Sequence, residues 1–244
     1  MTVIYFLVAL LCLPLLPVYF LALALCCAFV PRGKEFEKDS PFFRFWFNMT
    51  TALFLWASRV RIHSTGEEKV PKDQRLLFVS NHRSRYDSIA LWRIYKKWNL
   101  AYISKPSNFK LPLLGTLIRK CCFMAIDREN ARNAIVTINK AARLLKDQEV
   151  SIGVFPEGTR SLTGELLPFH NGVFKIAQKA NSPMVVFCVT GTEHIAKNWP
   201  LRHTDVYIDI LEVMPAESLA GVKTELIGEH VRELIQNNIE KRNG

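Results

Sequence analysis

Residues 1–31 carry no charged side chain, and an apolar run of that length cannot be left in water. It has to be covered by protein or by lipid. Residues 3–30 are enough to span a bilayer, for which about 20 apolar residues suffice. Pro14 and Pro17 interrupt a helix near its middle, so the segment either crosses the membrane or dips in and returns. A signal peptide's basic start and small-x-small cleavage site are missing. Arg32, Lys34 and Lys38 follow at once, which places the emerging chain on the cytoplasmic side.

A second apolar stretch begins at Ser40-Pro41, an N-cap followed by a proline at the first helical position. It runs from Phe42 to Trp56, and its density of Phe and Trp suits a membrane interface. Packing of this helix on the rest of the protein is the alternative. On this reading residues 1–60 form a membrane anchor with an interfacial helix, and residues 61–244 a separate domain.

From Val60 onward apolar runs of strand length alternate with helical periodicity. Strands are expected at residues 75–80, 100–104, 121–126, 150–155, 184–189 and 206–211. Helices are expected at 87–98, 131–145 and 172–180, with a closing helix around Ile227, Val231 and Leu234. Such alternation predicts an α/β fold, with a mainly parallel central sheet flanked by helices.

Three expected strand ends carry unusual chemistry. The first is Ser80-Asn81-His82-Arg83-Ser84-Arg85-Tyr86-Asp87. On one regular helix His82 and Asp87 would point roughly 140° apart, so they meet only if the chain bends between strand and helix. The second is Ile126-Asp127-Arg128. The third is Phe155-Pro156-Glu157-Gly158-Thr159-Arg160-Ser161, where Pro and Gly shape a turn and deliver an Arg suited to bidentate phosphate binding. In a parallel sheet all three converge on one edge, where open α/β sheets bind ligands.

The charge narrows the partners. The chain has 32 Lys and Arg against 22 Asp and Glu, a formal +10, and between Arg83 and Lys120 there are nine Lys and Arg with a single acid, Asp87. Beside an apolar leader this favours anionic lipid as a surface partner. No nucleic-acid-binding motif is recognisable. The six cysteines and the histidines outside the corner show no metal-ligand spacing, so no metal site is assigned. The cysteines read as small buried hydrophobes.

The ordered set Asn81-His82-x4-Asp87, Lys105, Pro112-x-x-Gly115, Ile126-Asp127-Arg128, residues 155–161 and Pro183 resembles the glycerolipid acyltransferase family with the His-x4-Asp signature. Within that family the pattern looks like that of the bacterial 1-acyl-glycerol-3-phosphate acyltransferases. The resemblance covers roughly residues 60–189. It departs from the pattern at Cys122, His170 and Val186, none of which is an expected base or arginine.

The resemblance implies acyl transfer from a thioester to the sn-2 hydroxyl of lysophosphatidic acid, with His82 as general base and Asp87 orienting it. Glu157, Gly158, Thr159 and Arg160 would hold the acceptor's phosphate end, with Arg128 assisting and Lys105 as a further contact. No Gly-x-Ser-x-Gly elbow is present, so the acceptor is expected to attack directly. No cofactor is implied beyond the donor, a thioester of coenzyme A or acyl carrier protein. The implied location is a bacterial inner membrane, with the catalytic domain on the cytoplasmic face. Another lysophospholipid or glycerol-3-phosphate is the alternative acceptor, and a non-catalytic anionic-lipid-binding protein the alternative from a different class.

Overall fold

Leu77, Phe78 and Val79 are wholly buried, as expected of a strand covered on both sides. They lie in β2 (Leu77–Ser80), the middle strand of seven. The structure, a computed structural model, describes Tyr5 and residues 10–31, 33–127 and 130–243. The other strands are β1 (Val60–Thr65), β3 (Leu100–Ser104), β4 (Met124–Ala125), β5 (Ser151–Val154), β6 (Met184–Thr190) and β7 (Thr204–Met214). Their order across the sheet is β1-β7-β6-β2-β5-β3-β4. Strands β2 to β6 run parallel, while β7 is antiparallel to β6 and carries β1 with it. The fold is α/β with a mostly parallel sheet, as the alternation predicted.

From β2 the chain passes to the β3 side of the sheet, and from β5 it crosses back over β2 to build β6. A crevice is expected outside the carboxyl ends of strands whose connections part in this way. The helices form two groups. Pro41–Ala57 packs against Asp87–Ile94 and Leu114–Lys120, whereas Ala131–Lys146 packs against Lys175–Ala180, with Thr224–Asn243 laid along β6 and β7. Asn130 caps the helix Ala131–Lys146 by accepting from the amides of Arg132 and Asn133.

The amino-terminal segment differs from a single span. Residues 1–4 and 6–9 lie outside the described residues, and the described part turns at Leu13 and Pro14 before the helix Leu15–Ala28. That helix has 14 residues, about 21 Å at 1.5 Å per residue, against a hydrocarbon core of about 30 Å. Among the described residues no helix is long and apolar enough to cross a membrane. Leu23, Cys27 and Val30 join Phe43 and Phe47 in the same hydrophobic cluster as the sheet. The helix Pro41–Ala57 divides its side chains: Phe43, Phe47 and Leu55 are buried, while Phe42, Phe45, Met49 and Trp56 are exposed.

Candidate active site

The strand-to-helix corner bends as the His82 and Asp87 spacing required. His82 stands between β2 and the helix Asp87–Ile94, and Asp87 opens that helix. The His82 Nδ1 lies 2.7 Å from Asp87 Oδ2. The same oxygen accepts from the amides of Arg83 and Ser84, both at 2.8 Å, and Asp87 Oδ1 accepts from the Thr192 hydroxyl. Asp87 is completely buried. Since its oxygens are ringed by donors, it acts on His82 as an acceptor. The ring proton therefore sits on Nδ1 and the lone pair on Nε2. Among the described residues nothing is bonded to Nε2.

Neighbouring strands fix this geometry. Phe155, just past β5, stacks on the imidazole at 4.2 Å between ring centres and 16° between planes, and Tyr102 of β3 stacks behind Phe155. On the other side, Asn81 Nδ2 donates to the Val189 carbonyl and its Oδ1 accepts the Val189 amide, each at 2.8 Å. Gly191, at φ +92°, brings Thr192 under Asp87. A Cβ there would stand 2.3 Å from the Asp205 carbonyl oxygen, so only glycine fits.

The loop after β5 closes over the corner. Gly158 takes the left-handed φ of +68° and donates its amide to the Phe155 carbonyl. The Ser161 amide donates to the His82 carbonyl at 2.8 Å. Thr159 and Arg160 are exposed. A crevice of about 530 Å³ opens here, lined by Arg83, Arg85 and Arg160 together with Tyr86, Ser161 and Glu193. Three guanidinium groups against one carboxylate suit an anionic ligand. The Arg83 Nη2 rests 3.4 Å from Glu193, which leaves Arg85 and Arg160 as the less committed pair.

One expected phosphate ligand is placed otherwise. The Glu157 side chain is buried, with Oε1 accepting the His82 amide at 2.6 Å and Oε2 the Leu167 amide at 2.9 Å. Burial pushes its carboxyl above the ordinary value, while the Leu167 and His82 amides pull it down. It braces the loop to the corner and does not face the crevice. Lys105 is exposed at the end of β3, two strands and about 10 Å from β2 at the usual strand spacing, outside the crevice wall. Arg128 lies outside the described residues; its neighbour Asp127 accepts from Asn133 Nδ2 at 3.1 Å. Among the described residues no group of three His, Cys, Asp or Glu side chains could hold a metal ion. Burial pushes the Cys121, Cys122 and Cys188 thiols up to about 12, so none supplies a thiolate nucleophile near neutrality.

A family model described as acyltransferase matches residues 61–190, just over half of the chain. The chain belongs to the acyltransferase family. The matched span of this acyltransferase runs from β1 to the end of β6 and contains the whole corner and the loop after β5. Among curated relatives, the 1-acyl-sn-glycerol-3-phosphate acyltransferase of Limnanthes douglasii is 33% identical over 144 residues, 59% of this chain and 50% of that protein. The enzyme of the same name from Salmonella typhimurium is 28% identical over 163 residues, 67% of this chain and 66% of that one. The chain thus spans about half the length of the plant relatives it matches. The crystal structure of the 1-acyl-sn-glycerophosphate (LPA) acyltransferase PlsC from Thermotoga maritima shares the fold. Its TM-score is 0.69 at 24% identity, covering all of this chain and 95% of that one.

Sequence reasoning did not find Thr192 as part of the site, and Asn81, Arg83, Arg85 and Phe155 stand within its motifs without an assigned role. The two arginines lie inside the His-x4-Asp stretch, and the crevice gives them a role that spacing alone did not.

Proposed function

We propose that this acyltransferase moves a fatty acyl group from a thioester to the sn-2 hydroxyl of 1-acyl-glycerol-3-phosphate, giving phosphatidic acid. The observation that carries the reading is His82 with an open Nε2, held by buried Asp87 and directly followed in the chain by Arg83 of an arginine-lined crevice. His82 Nε2 takes the proton of the acceptor hydroxyl as its oxygen attacks the thioester carbonyl. The tetrahedral intermediate then collapses, the C–S bond breaks, and the imidazolium returns its proton to the departing thiolate. Asp87 stabilises that imidazolium. Arg160, presented by Gly158 and Thr159, grips the acceptor phosphate, with Arg128 assisting and Lys105 as a further contact. The donor is a thioester of coenzyme A or acyl carrier protein.

The acceptor and product are lipids, so the enzyme works at a membrane. The short helix Leu15–Ala28 and the exposed face of Pro41–Ala57 fit a segment that enters one side of a bilayer and returns. On this reading residues 1–60 are the membrane-associating part and 61–244 the catalytic part. The site is the inner (cytoplasmic) membrane of a bacterial cell, with catalysis on the cytoplasmic face.

The deciding experiment offers purified protein lysophosphatidate, glycerol-3-phosphate or lysophosphatidylethanolamine, each with acyl-coenzyme A and with acyl carrier protein thioester. Lysophosphatidate should be acylated fastest. Preference for glycerol-3-phosphate or for lysophosphatidylethanolamine would replace the acceptor, and vesicle binding with no transfer to any acceptor would replace the enzyme by a lipid-binding protein.

A further inference from the structure

Away from the amino-terminal helices, the two most exposed large apolar side chains among the described residues are Leu162, in the crevice wall, and Leu201, close in sequence to Ala196 of that wall. Trp199 is 56% exposed and Leu201 74%, on the turn after the helix Ile195–Asn198. Ala196 of that short helix lines the crevice, and the Trp199 amide donates to the Ile195 carbonyl one turn back. Leu162, two residues past Arg160 in the crevice wall, is 87% exposed.

The turn is held outward by its own polar atoms. Arg59 Nη1 donates to the carbonyls of Pro200 and Leu201 at 3.2 and 2.7 Å, and the Trp199 indole N–H donates to the Ala57 carbonyl at 3.0 Å. The hydrogen-bonding groups are thus satisfied while the indole ring and the Leu side chain stay in the open. That division suits an amphipathic boundary, where a Trp ring meets lipid and its N–H is answered.

The turn also continues the apolar surface of the amino-terminal helices. The Ala57 carbonyl accepts the Tyr5 hydroxyl at 2.6 Å, the Tyr5 ring lies 5.4 Å from that of Trp56, and Arg59 covers it at 4.8 Å. Trp56 in turn belongs to the exposed side of Pro41–Ala57, with Phe42, Phe45 and Met49. The charge around the turn selects the partner. Lys197 and Arg202 flank the turn, Arg59 bonds to it and Arg61 lies on the strand paired with Asp205, against the two nearest acids in sequence, Glu193 and Asp205. An exposed Trp and Leu with four Lys and Arg side chains against two acids nearby match an anionic bilayer surface.

We propose that the turn at residues 199–201 is a second membrane-inserting prong, carried by the catalytic domain itself, which seats the crevice mouth on an anionic bilayer. A lipid acceptor then keeps its acyl chain in the membrane while its headgroup enters the crevice. That last consequence rests on the acyl transfer proposed above; the insertion itself does not.

Fluorescence of the full chain with vesicles of phosphatidylglycerol and brominated-acyl phosphatidylcholine tests the insertion. The protein has five tryptophans, of which Trp92 and Trp98 are buried. Trp199→Phe keeps an apolar turn but removes one emitter. The quenched fraction of total emission should fall, because an inserted emitter has been lost. An unchanged or larger quenched fraction overturns the proposal. In a second arm, Trp199→Ser with Leu201→Ser should lower acylation of vesicle-held lysophosphatidate about tenfold, the effect of losing part of two large side chains from lipid. Acylation of a water-soluble short-chain lysophosphatidate should not change. Equal losses on both substrates, or no loss on either, also overturn it, as does quenching that stays constant while the double variant abolishes self-association in sedimentation. If the protein acylates nothing, the quenching arm still decides insertion on its own.

Discussion

Two buried side-chain pairs lie at opposite ends of the parallel strands, and their difference separates structure from chemistry. At the amino end of β3, Arg44 donates from Nε and Nη2 to both oxygens of Asp39, each at 2.7 Å, and from Nη1 to the Leu100 carbonyl at 3.1 Å. Its guanidinium stacks 4.9 Å from the Trp92 ring. Each of the three guanidinium nitrogens is spent, and the pair locks Pro41–Ala57 to the domain. At the carboxyl end of β2, Asp87 is committed just as fully, but His82 uses only Nδ1. Burial and pairing are alike at the two ends. What distinguishes the second is one open ring atom, on the residue just before Arg83 and Ser84 of the crevice wall.

The largest expected effect breaks that open atom. His82→Ala should cut turnover by about 10²–10⁴-fold, the range for a lost general base, with Tm moving by no more than about 2–4 °C. Asp87→Asn should fall within the same range, because an amide in place of the carboxylate no longer supports the imidazolium. Steady-state kinetics beside a thermal melt distinguish the outcomes, and a His82→Ala protein with near-normal turnover would falsify the assignment. Next is the opposite end: Arg44→Met leaves Asp39 buried without its partner and should cost about 3–5 kcal/mol of stability. Turnover per folded molecule should stay normal, since Arg44 touches nothing in the crevice. A denaturant titration alongside kinetics checks both halves, and a rate loss with no stability loss would reverse the comparison.

Much of this layout was legible because it is local. The boundaries of β3 match the expected 100–104, since Asn99 enters at φ +48° and Lys105-Pro106 ends the strand. The corner was legible from the five-residue spacing of His82 and Asp87. The strand expected at 121–126 shrinks to Met124–Ala125 because the Cys121 amide donates back to Leu117 and Ile118, and Cys122 turns at φ +60°. The helix ahead of it, Leu114–Lys120, begins after Leu113 at φ +59°, which composition does not announce. What the sequence could not show is pairing across distance. Thr192 reaches Asp87 over 105 residues and Glu157 reaches His82 over 75. The Glu157 side chain therefore read as a ligand when it is a brace. The reversal of β7 was hidden for the same reason: strand direction depends on how the connection packs, not on the strand's own pattern.

A smaller effect sharpens the difference between brace and ligand inside one loop. Arg160→Ala should lower kcat/KM for lysophosphatidate by about 10- to 150-fold, the worth of a charge-assisted hydrogen bond of about 1.5–3 kcal/mol. Thioester hydrolysis without acceptor should hardly change, because water needs no phosphate clamp. Arg160→Lys should recover only part of the loss, as it keeps the charge without the planar fork. The exposure of Arg160 means that stability should hold. Equal losses in transfer and hydrolysis would place Arg160 on the donor side.

The smallest effect concerns a third pair, more exposed than the other two. Arg242, near the end of the closing helix Thr224–Asn243, donates from Nε and Nη2 to Asp209 of β7 at 2.6 and 2.7 Å, and the Thr65 hydroxyl of β1 adds a bond at 2.8 Å. Burial alone would raise the Asp209 carboxyl, but Arg242 and Thr65 outweigh it and hold it below its ordinary value. A carboxyl depressed in the folded state adds stability that is complete above the unfolded value of about 3.9. The contribution is lost as pH falls through the lower folded value. Since Arg242 is partly exposed, the pair should contribute only about 1 kcal/mol. Asp209→Asn should therefore lower Tm at pH 7 by about 2–4 °C, with turnover unchanged because the pair is remote from the corner. Melts of both proteins between pH 7 and pH 3 should converge as the acid protonates Asp209. A difference in Tm that persists undiminished at pH 3 would assign the effect to packing of the helix on Tyr207, over which the Arg242 guanidinium lies at 4.3 Å, and not to charge.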